Sequence, residues 1–424
     1  MTSNDSQAPA NWQSGFWCLM GTQFQGAFSD SVLRWLVIYL VIAKKLPKEE
    51  LDALVADSGI LFAIPFLILS AFGGWMADRF SKRHVMIGVK LMELGIMVFA
   101  AFALGSGKTP LQLTAVCLMG VHSAFFAASK YGSLPELVPA TEISWANGII
   151  EMLTFLATIF GMLAAAWMAQ AFAHEASFAG YILLGLAVVG WLCSLGISRV
   201  APANPTKPLR LNFLGELWNE FKWMKLDRDL WRANLGNTGF FFIAALLQMN
   251  IVLYAEQVFR LGLTENSSLQ VALAVGMAVG SVLAGKLSGH HVEYGLIPLG
   301  AIGMALMGFI LGIPGIEKMW FIPALALLGI GGGLFIVPIA AVLQHRPPTD
   351  RKGSVQGAAS WLSWVGISFA TLVQMVLNLH LGCTPGQVFW FCSGCAVIAG
   401  IYVAKTRPSA LPSMLARWMG KPTS

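Results

Sequence analysis

Five stretches of this sequence hold or bracket about 20 or more residues with no formal charge between them: Ser58–Ala77, Glu151–His174, Arg232–Glu256, Glu293–Glu317 and Lys318–His345. A helix rises 1.5 Å per residue, so roughly 20 apolar residues cross a hydrocarbon core of about 30 Å. Only 11% of the residues are charged, against about 25% in an ordinary soluble domain. Lipid is therefore the solvent this chain suits. A membrane barrel would show alternating strands of about ten residues, and none are present. The expected class is an all-α membrane protein.

Apolar runs place twelve spans near 15–43, 53–77, 84–105, 111–138, 144–172, 176–198, 232–258, 266–285, 292–313, 319–343, 354–381 and 385–404. Residues 1–14 are polar and lack a basic leader, so the first helix is expected to be retained rather than cleaved. Of the 27 Lys and Arg, only Arg34, Lys90 and Lys130 lie in the interior of these spans. Lys44, Lys45, Lys48, Lys108, Arg260 and Lys318 occupy loops of one side, and the remaining eighteen lie on the other. Such a bias marks the cytoplasmic face. An even number of spans then puts both termini in the cytoplasm, with the bacterial inner membrane as the expected location. The formal charge of +6 reflects those loops and calls for no nucleic acid.

The expected organisation is a six-helix bundle over 1–199, a cytoplasmic linker over 200–231, a second bundle over 232–405 and a tail over 406–424. Pro202, Pro205 and Pro208 open the linker. Asn212–Lys225 then reads as an amphipathic helix, with Leu214, Leu217, Trp218, Phe221 and Trp223 among charged residues. It suits either the membrane surface or a soluble connection. The two halves repeat one another. Phe126 and Phe335, Asn147 and Gln356, and Pro139 and Pro348 share one offset. Paired six-helix repeats with a substrate site between them near the midplane are a transporter architecture.

The joint between spans two and three reads Gly73-Gly74-Trp75-Met76-Ala77-Asp78-Arg79-Phe80-Ser81-Lys82-Arg83. It resembles the G-x-L-A-D-R-x-G-R-R loop of the major facilitator superfamily, departing at Met76 and Ser81. Gly74 permits close helix approach. Asp78 can pair with basic groups or a helix N-terminus. With Arg79 and Arg83 it forms a candidate gating loop; a plain topogenic basic loop is the simpler reading. The matching second-half stretch, Gly285 to His290, lacks the acid, so any latch is expected to be asymmetric.

More specific segments follow. Gln23-Phe24, Ala27-Phe28 and Asp30 in span one resemble the Q-F-x-x-A-F-G-D-N segment of bacterial lysophospholipid transporters. Ala128-Ser129-Lys130-Tyr131-Gly132 with Leu134 to Leu137 is similar to that family's P-A-K-Y-G-x-L-x-E-L. Ala146-Asn147-Gly148 with Glu151, and Gly332, Phe335, Pro338 and Gln344, continue the match. The resemblance implies a major facilitator fold of two pseudo-symmetric six-helix bundles. It also implies inward movement of lysophospholipid, with an acyltransferase/acyl-carrier synthetase as cytoplasmic partner. The chain departs from the family at Ser29 and Ser31. It also has no arginine inside span seven, where Gln248 or Asn250 is the counterpart.

Ionisable groups inside spans are costly and usually face a partner or a solvated cavity. Asp30 and Arg34 stand i, i+4 on one face and could neutralise one another. Lys130 lies in span four; Asn147 and Glu151 lie one turn apart in span five. The candidate substrate-binding set is Asp30, Arg34, Lys130, Asn147, Glu151, Gln248 and Asn250. An acid would meet the ammonium of a headgroup and Lys130 or Arg34 its phosphate. The alternative is that Asp30–Arg34 and Lys130–Glu151 are structural ion pairs; Lys90 and Glu93, i and i+3 within span three, read as a structural pair as well. The six cysteines are scattered. Cys392 and Cys395, although i, i+3, lack further ligands, so no metal or cofactor is expected. No phosphate loop or nucleophile elbow points to an enzyme.

Together these features predict a transporter of lysophospholipid-like amphiphiles that works by alternating access. Two rivals remain: a proton-coupled exporter of drugs or small organic ions, and a non-transporting membrane module that docks an acyltransferase.

Overall fold

The computed structural model describes residues 11–418 except 211, 262 and 290. His290 and Lys421 therefore lie outside the described residues. Among those described, fourteen α-helices run α1 (Trp12–Ala43), α2 (Lys48–Arg79), α3 (Lys82–Ser106), α4 (Thr109–Leu137), α5 (Ile143–Ala171), α6 (Ser177–Leu195), α7 (Phe213–Met224), α8 (Arg228–Gln257), α9 (Leu263–Ser288), α10 (Leu296–Leu311), α11 (Lys318–His345), α12 (Lys352–Met375), α13 (Pro385–Thr406) and α14 (Ala410–Trp418). There is no strand among the described residues. Eleven of these helices are long and apolar enough to cross a membrane. The shorter α10, with 16 residues, spans about 24 Å and supplies the twelfth apolar helix. The chain is a multi-pass membrane protein.

Helix α3 shows why. It buries Lys90 and Glu93 completely while leaving Phe102 at 64% and Leu91 and Val98 at 57% exposure. Charge inside and bulk hydrocarbon outside inverts the soluble pattern. The arrangement is stable only where the outer solvent is itself apolar.

The chain forms two compact units. One comprises Met1–Pro139, Ala157–Leu226 and Arg346–Trp361; the other comprises Ala140–Leu156, Asp227–His345 and Leu362–Ser424. In the first unit α2 packs on α4, α3 on α4 and α6, and α1 on α4 and α6. In the second α9 packs on α11, α10 on α11 and α13, and α8 on α11 and α13. These are the same five pairings, helix for helix, so the weak sequence repeat is a repeat of packing. The register extends to the turns. Pro139 precedes a 3₁₀ turn at Ala140–Glu142 and then α5; Pro348 precedes one at Thr349–Arg351 and then α12.

Gly148 and Gly357 occupy matching positions in the second turns of α5 and α12. A Cβ on Gly148 would sit 2.5 Å from the Ser281 carbonyl oxygen, and one on Gly357 would sit 2.5 Å from that of Ser70. Only hydrogen lets each backbone approach so closely.

The linker helix α7 is capped by Asn212, whose side chain accepts from Gly215 N at 2.9 Å. Its hydrophobic residues divide between two faces. Leu217, Phe221 and Met224 are buried, Phe213 packs edge-on against Phe72, and Phe221 meets Trp361. Leu214 and Trp218 remain exposed, with Lys222 and Lys225 over the Trp218 ring.

Glu220 lies on the packed side of α7 with one carboxylate oxygen buried and unbonded. Burial pushes its carboxyl up to about 7, against the lowering influence of Arg351 and Lys207 and helped by Asp78 and Glu216. A folded pKa above the unfolded value contributes stability that is complete below the unfolded value and lost as pH rises through the folded one. Hydrogen-exchange protection over 213–224 should therefore fall progressively as pH rises from about 4 to 8, most of the loss lying between the unfolded and folded values. Glu220→Gln should make that protection independent of pH across the window.

Candidate functional site

Two clusters gather many of the buried polar residues of the first unit. The first begins at Asp78, at the end of α2. Gly74, one turn earlier, has no side chain where the start of α12 crosses; a Cβ there would lie 2.7 Å from the Gly353 carbonyl oxygen. That approach puts the Asp78 carboxylate on the first turn of α12. Oδ1 accepts from Gly353 N at 2.6 Å, and Oδ2 from Ser354 N at 3.0 Å and Ser354 Oγ at 2.7 Å. A carboxylate against the orphan amides of a helix start is favoured by both hydrogen bonding and the helix dipole.

Lys207 completes the arrangement from the linker, with Nζ 2.7 Å from Asp78 Oδ2 and 2.5 Å from Ser354 Oγ. Asn204 N donates to the Asp78 carbonyl oxygen, Trp75 Nε1 to Pro208 O, and the Arg79 guanidinium to Lys207 O. Arg83 donates to Leu195 O, the last carbonyl of α6, and to Ile197 O just past it, both at 2.7 Å. The loop motif thus organises one helix start, one helix end and the linker strap. Sequence reading identified Gly74, Asp78, Arg79 and Arg83 but missed Lys207 and Ser354. Neither carries a motif, and only the fold brings them to Asp78.

The second cluster lies between α1, α3 and α4. Lys90 Nζ is 2.7 Å from Glu93 Oε2 and donates to Gln25 Oε1 at 2.8 Å, while Gln25 Nε2 donates to Glu93 Oε1 at 2.9 Å. The expected Lys90–Glu93 pair is therefore a triad closed by Gln25. His122 Nε2 stands 3.2 Å from Glu93 without hydrogen-bond alignment, and its Nδ1 is 3.4 Å from Ser123 Oγ. Ser123 Oγ donates to Asp30 Oδ2 at 2.5 Å, and Asp30 Oδ1 has no hydrogen-bond partner among the described residues.

Arg34 does not pair with Asp30. Its guanidinium lies 5.4 Å from the Phe62 ring centroid and 5.9 Å from that of Trp35. Aromatic faces attract a cation without neutralising it. Lys130, 6% exposed, has its ammonium 4.0 Å from the Tyr131 ring centroid.

The other candidates belong to the second unit. Asn147 and Gln344 exchange side-chain amide hydrogen bonds at 3.0 and 2.7 Å, clamping α5 to α11. Asn250 is fully buried and donates to Pro385 O at 2.9 Å, tying α8 to α13. Gln248 is exposed and Glu151 buried. Among the described residues no three His, Cys, Asp or Glu side chains assemble a metal-binding group.

The reciprocal amide pair yields a clear expectation. Asn147→Ala or Gln344→Ala strands a buried partner and should each cost about 1–3 kcal/mol. The double variant should cost little more than either single one. Thermal unfolding of the three purified variants in one detergent measures this, and additive losses would contradict a coupled clamp.

Comparison with known proteins bears on what these clusters serve. The lysophospholipid transporter LplT of Klebsiella pneumoniae (strain 342) is 29% identical over 356 residues, covering 80% of this chain and 82% of the relative. LplT of Escherichia coli (strain K12 / DH10B) is 28% identical over 381 residues, covering 86% and 88%. Among solved structures, the human organic anion transporter MFSD10 (TETRAN) superposes with a TM-score of 0.78 at 13% identity, covering 93% of this chain and 100% of that one. A point variant of the Escherichia coli fucose:proton symporter FucP gives 0.74 at 12%, covering 92% and 97%. These two share the fold alone. The family model of the Major Facilitator Superfamily matches residues 20–371. With its twelve apolar helices and duplicated packing, the chain belongs to the Major Facilitator Superfamily and is a membrane transporter rather than an enzyme.

Proposed function

We propose that the transported substrate is a lysophospholipid-like amphiphile, moved across the bacterial inner membrane by alternating access. Both termini are then cytoplasmic, the side on which the eighteen loop cations cluster. The observation that carries this reading is that the two charged side chains of α1, in the segment that resembles lysophospholipid transporters, are not in ion-pair contact with each other. Asp30 keeps one carboxylate oxygen unbonded. Arg34 rests on aromatic faces, with no carboxylate of the described residues at ion-pair distance.

A zwitterionic headgroup needs both signs of charge. Arg34, with its planar fork of donors, suits the phosphate, and Lys130 supplies a second cation from the sequence motif of α4. Asp30 suits the ammonium. Asn147, Glu151, Gln248 and Asn250 are the candidates that the sequence offers in the second unit, where the amides of Asn147 and Asn250 already bond to their neighbours. The Asp78 cluster acts as the gate: moving α2 away from the start of α12 would strip the carboxylate of its partners. A cytoplasmic acyltransferase that consumes the delivered lysolipid completes the proposal.

Reconstitution into liposomes tests it. Labelled lysophosphatidylethanolamine should change leaflet faster in vesicles with protein than in empty ones, while soluble drugs should not accumulate. Arg34→Gln removes a charge-assisted contact and should slow lysolipid movement about tenfold or more. Asp30→Asn should impair ethanolamine lysolipids more than headgroups without an ammonium. Equal rates in loaded and empty vesicles would end the lysolipid reading.

A further inference from the structure

The second unit carries a cavity of about 410 Å³ that neither the gating cluster nor the charged residues of α1 touch. Its walls come from α8, α10, α11 and α13 and are almost entirely hydrocarbon, including Gly239, Ile243, Phe335 and Ile398. Ile398 is 68% exposed on the flank of the helix layer, so the groove opens sideways toward the surroundings of the bundle.

One end alone is charged. Asp229 Oδ2 is 2.5 Å from the Arg407 guanidinium, and Asp229 Oδ1 is 3.5 Å from that of Arg232. Arg407 also lies over the Tyr294 ring at 3.9 Å. One carboxylate thus serves two guanidinium groups, each about one-third exposed. Counting the lining side chains, two guanidinium groups against one carboxylate give the rim a net positive charge.

The dimensions are informative. Along α8 the lining runs from Asp229 to Ile243, and its apolar part, Ala233 to Ile243, covers about 15 Å of helix. That is about half of a hydrocarbon core roughly 30 Å thick, the depth of a single leaflet. The volume accommodates on the order of a dozen methylene-sized groups, taking about 30 Å³ for each by analogy with a water molecule.

We propose that this groove is a resident-lipid site. It takes an anionic two-chain glycerophospholipid from the leaflet at the Arg232–Arg407 end, with the phosphate against the two arginines and one acyl chain in the groove. The surrounding bilayer supplies this ligand at high concentration, and the sign of the rim selects anionic over zwitterionic headgroups. The site is separate from the substrate reading and does not rest on it.

Two variants test the head and tail of the site independently. Arg232→Gln with Arg407→Gln removes the cations. Gly239→Leu projects a side chain into the groove, because a Cβ at Gly239 meets nothing within 4 Å. It leaves both arginines intact and raises helix propensity. Native mass spectrometry of the full chain in detergent would compare phosphatidylglycerol with phosphatidylcholine of identical acyl chains.

Wild type should bind phosphatidylglycerol about tenfold more tightly, the arginine variant should lose that preference, and Gly239→Leu should weaken both lipids. Equal affinity of wild type for the two lipids would overturn the proposal. So would unchanged phosphatidylglycerol binding in Gly239→Leu, since attraction would then reside in the headgroup alone. Displacement of bound phosphatidylglycerol by equimolar lysophosphatidylethanolamine would instead assign the groove to the transported amphiphile, and would equally defeat a resident-lipid role.

Discussion

Hydrocarbon offers no hydrogen bonds, so a charge carried to bilayer depth must find a partner within the protein or face a solvated cavity. The Lys90–Glu93–Gln25 triad is the clearest response to that constraint. It joins two helices, α3 supplying the ion pair and α1 the amide, and all three side chains are buried. Removing one member would leave the others charged or polar in a dry interior, at a cost far above that of a broken surface pair. The triad consequently fixes the register of α1 against α3. The same register places Asp30 beside Ser123 and leaves Arg34 over aromatic rings.

A second set of interactions works at a helix start rather than in mid-membrane. Asp78 satisfies two backbone amides, one hydroxyl and one ammonium through a single carboxylate. Its neighbours bind the linker from both sides, so the strap between the repeats is pinned to the helix that carries the superfamily motif. The second unit lacks that acid. There the close approach of α5 to α9 is marked by Gly148 against Ser281, together with a long hydrogen bond from Ser144 Oγ to His291 O. The packing is thus duplicated, while the carboxylate that anchors a helix start in the first unit is replaced in the second by a glycine contact.

Much of the helix layout was legible beforehand because a hydrocarbon core imposes a length on every crossing. The expected spans agree with the observed helices to within a few residues, including α10, whose 16 residues lie inside the expected 292–313. The offset linking Pro139 to Pro348 anticipated two matching turns. The site was less legible. Asp30 and Arg34 looked like an i, i+4 pair, yet Ser123 takes the acid and aromatic faces take the cation. Asn147 looked like a ligand-binding amide, yet Gln344 occupies it. Each outcome turns on which side chain a neighbouring helix presents at the same depth, and spacing along one helix carries no information about that.

From the sequence alone came membrane residence, the number of crossings, the internal repeat and the superfamily motif. All of these follow from local hydropathy, charge bias and short patterns. Tertiary structure alone decided the partners: Lys207 and Ser354 for Asp78, Gln25 for the Lys90–Glu93 pair, and Arg407 for Asp229. Burial makes a charge seek whatever counter-group packing brings within reach, and packing is a property of helix pairs that lie far apart along the chain.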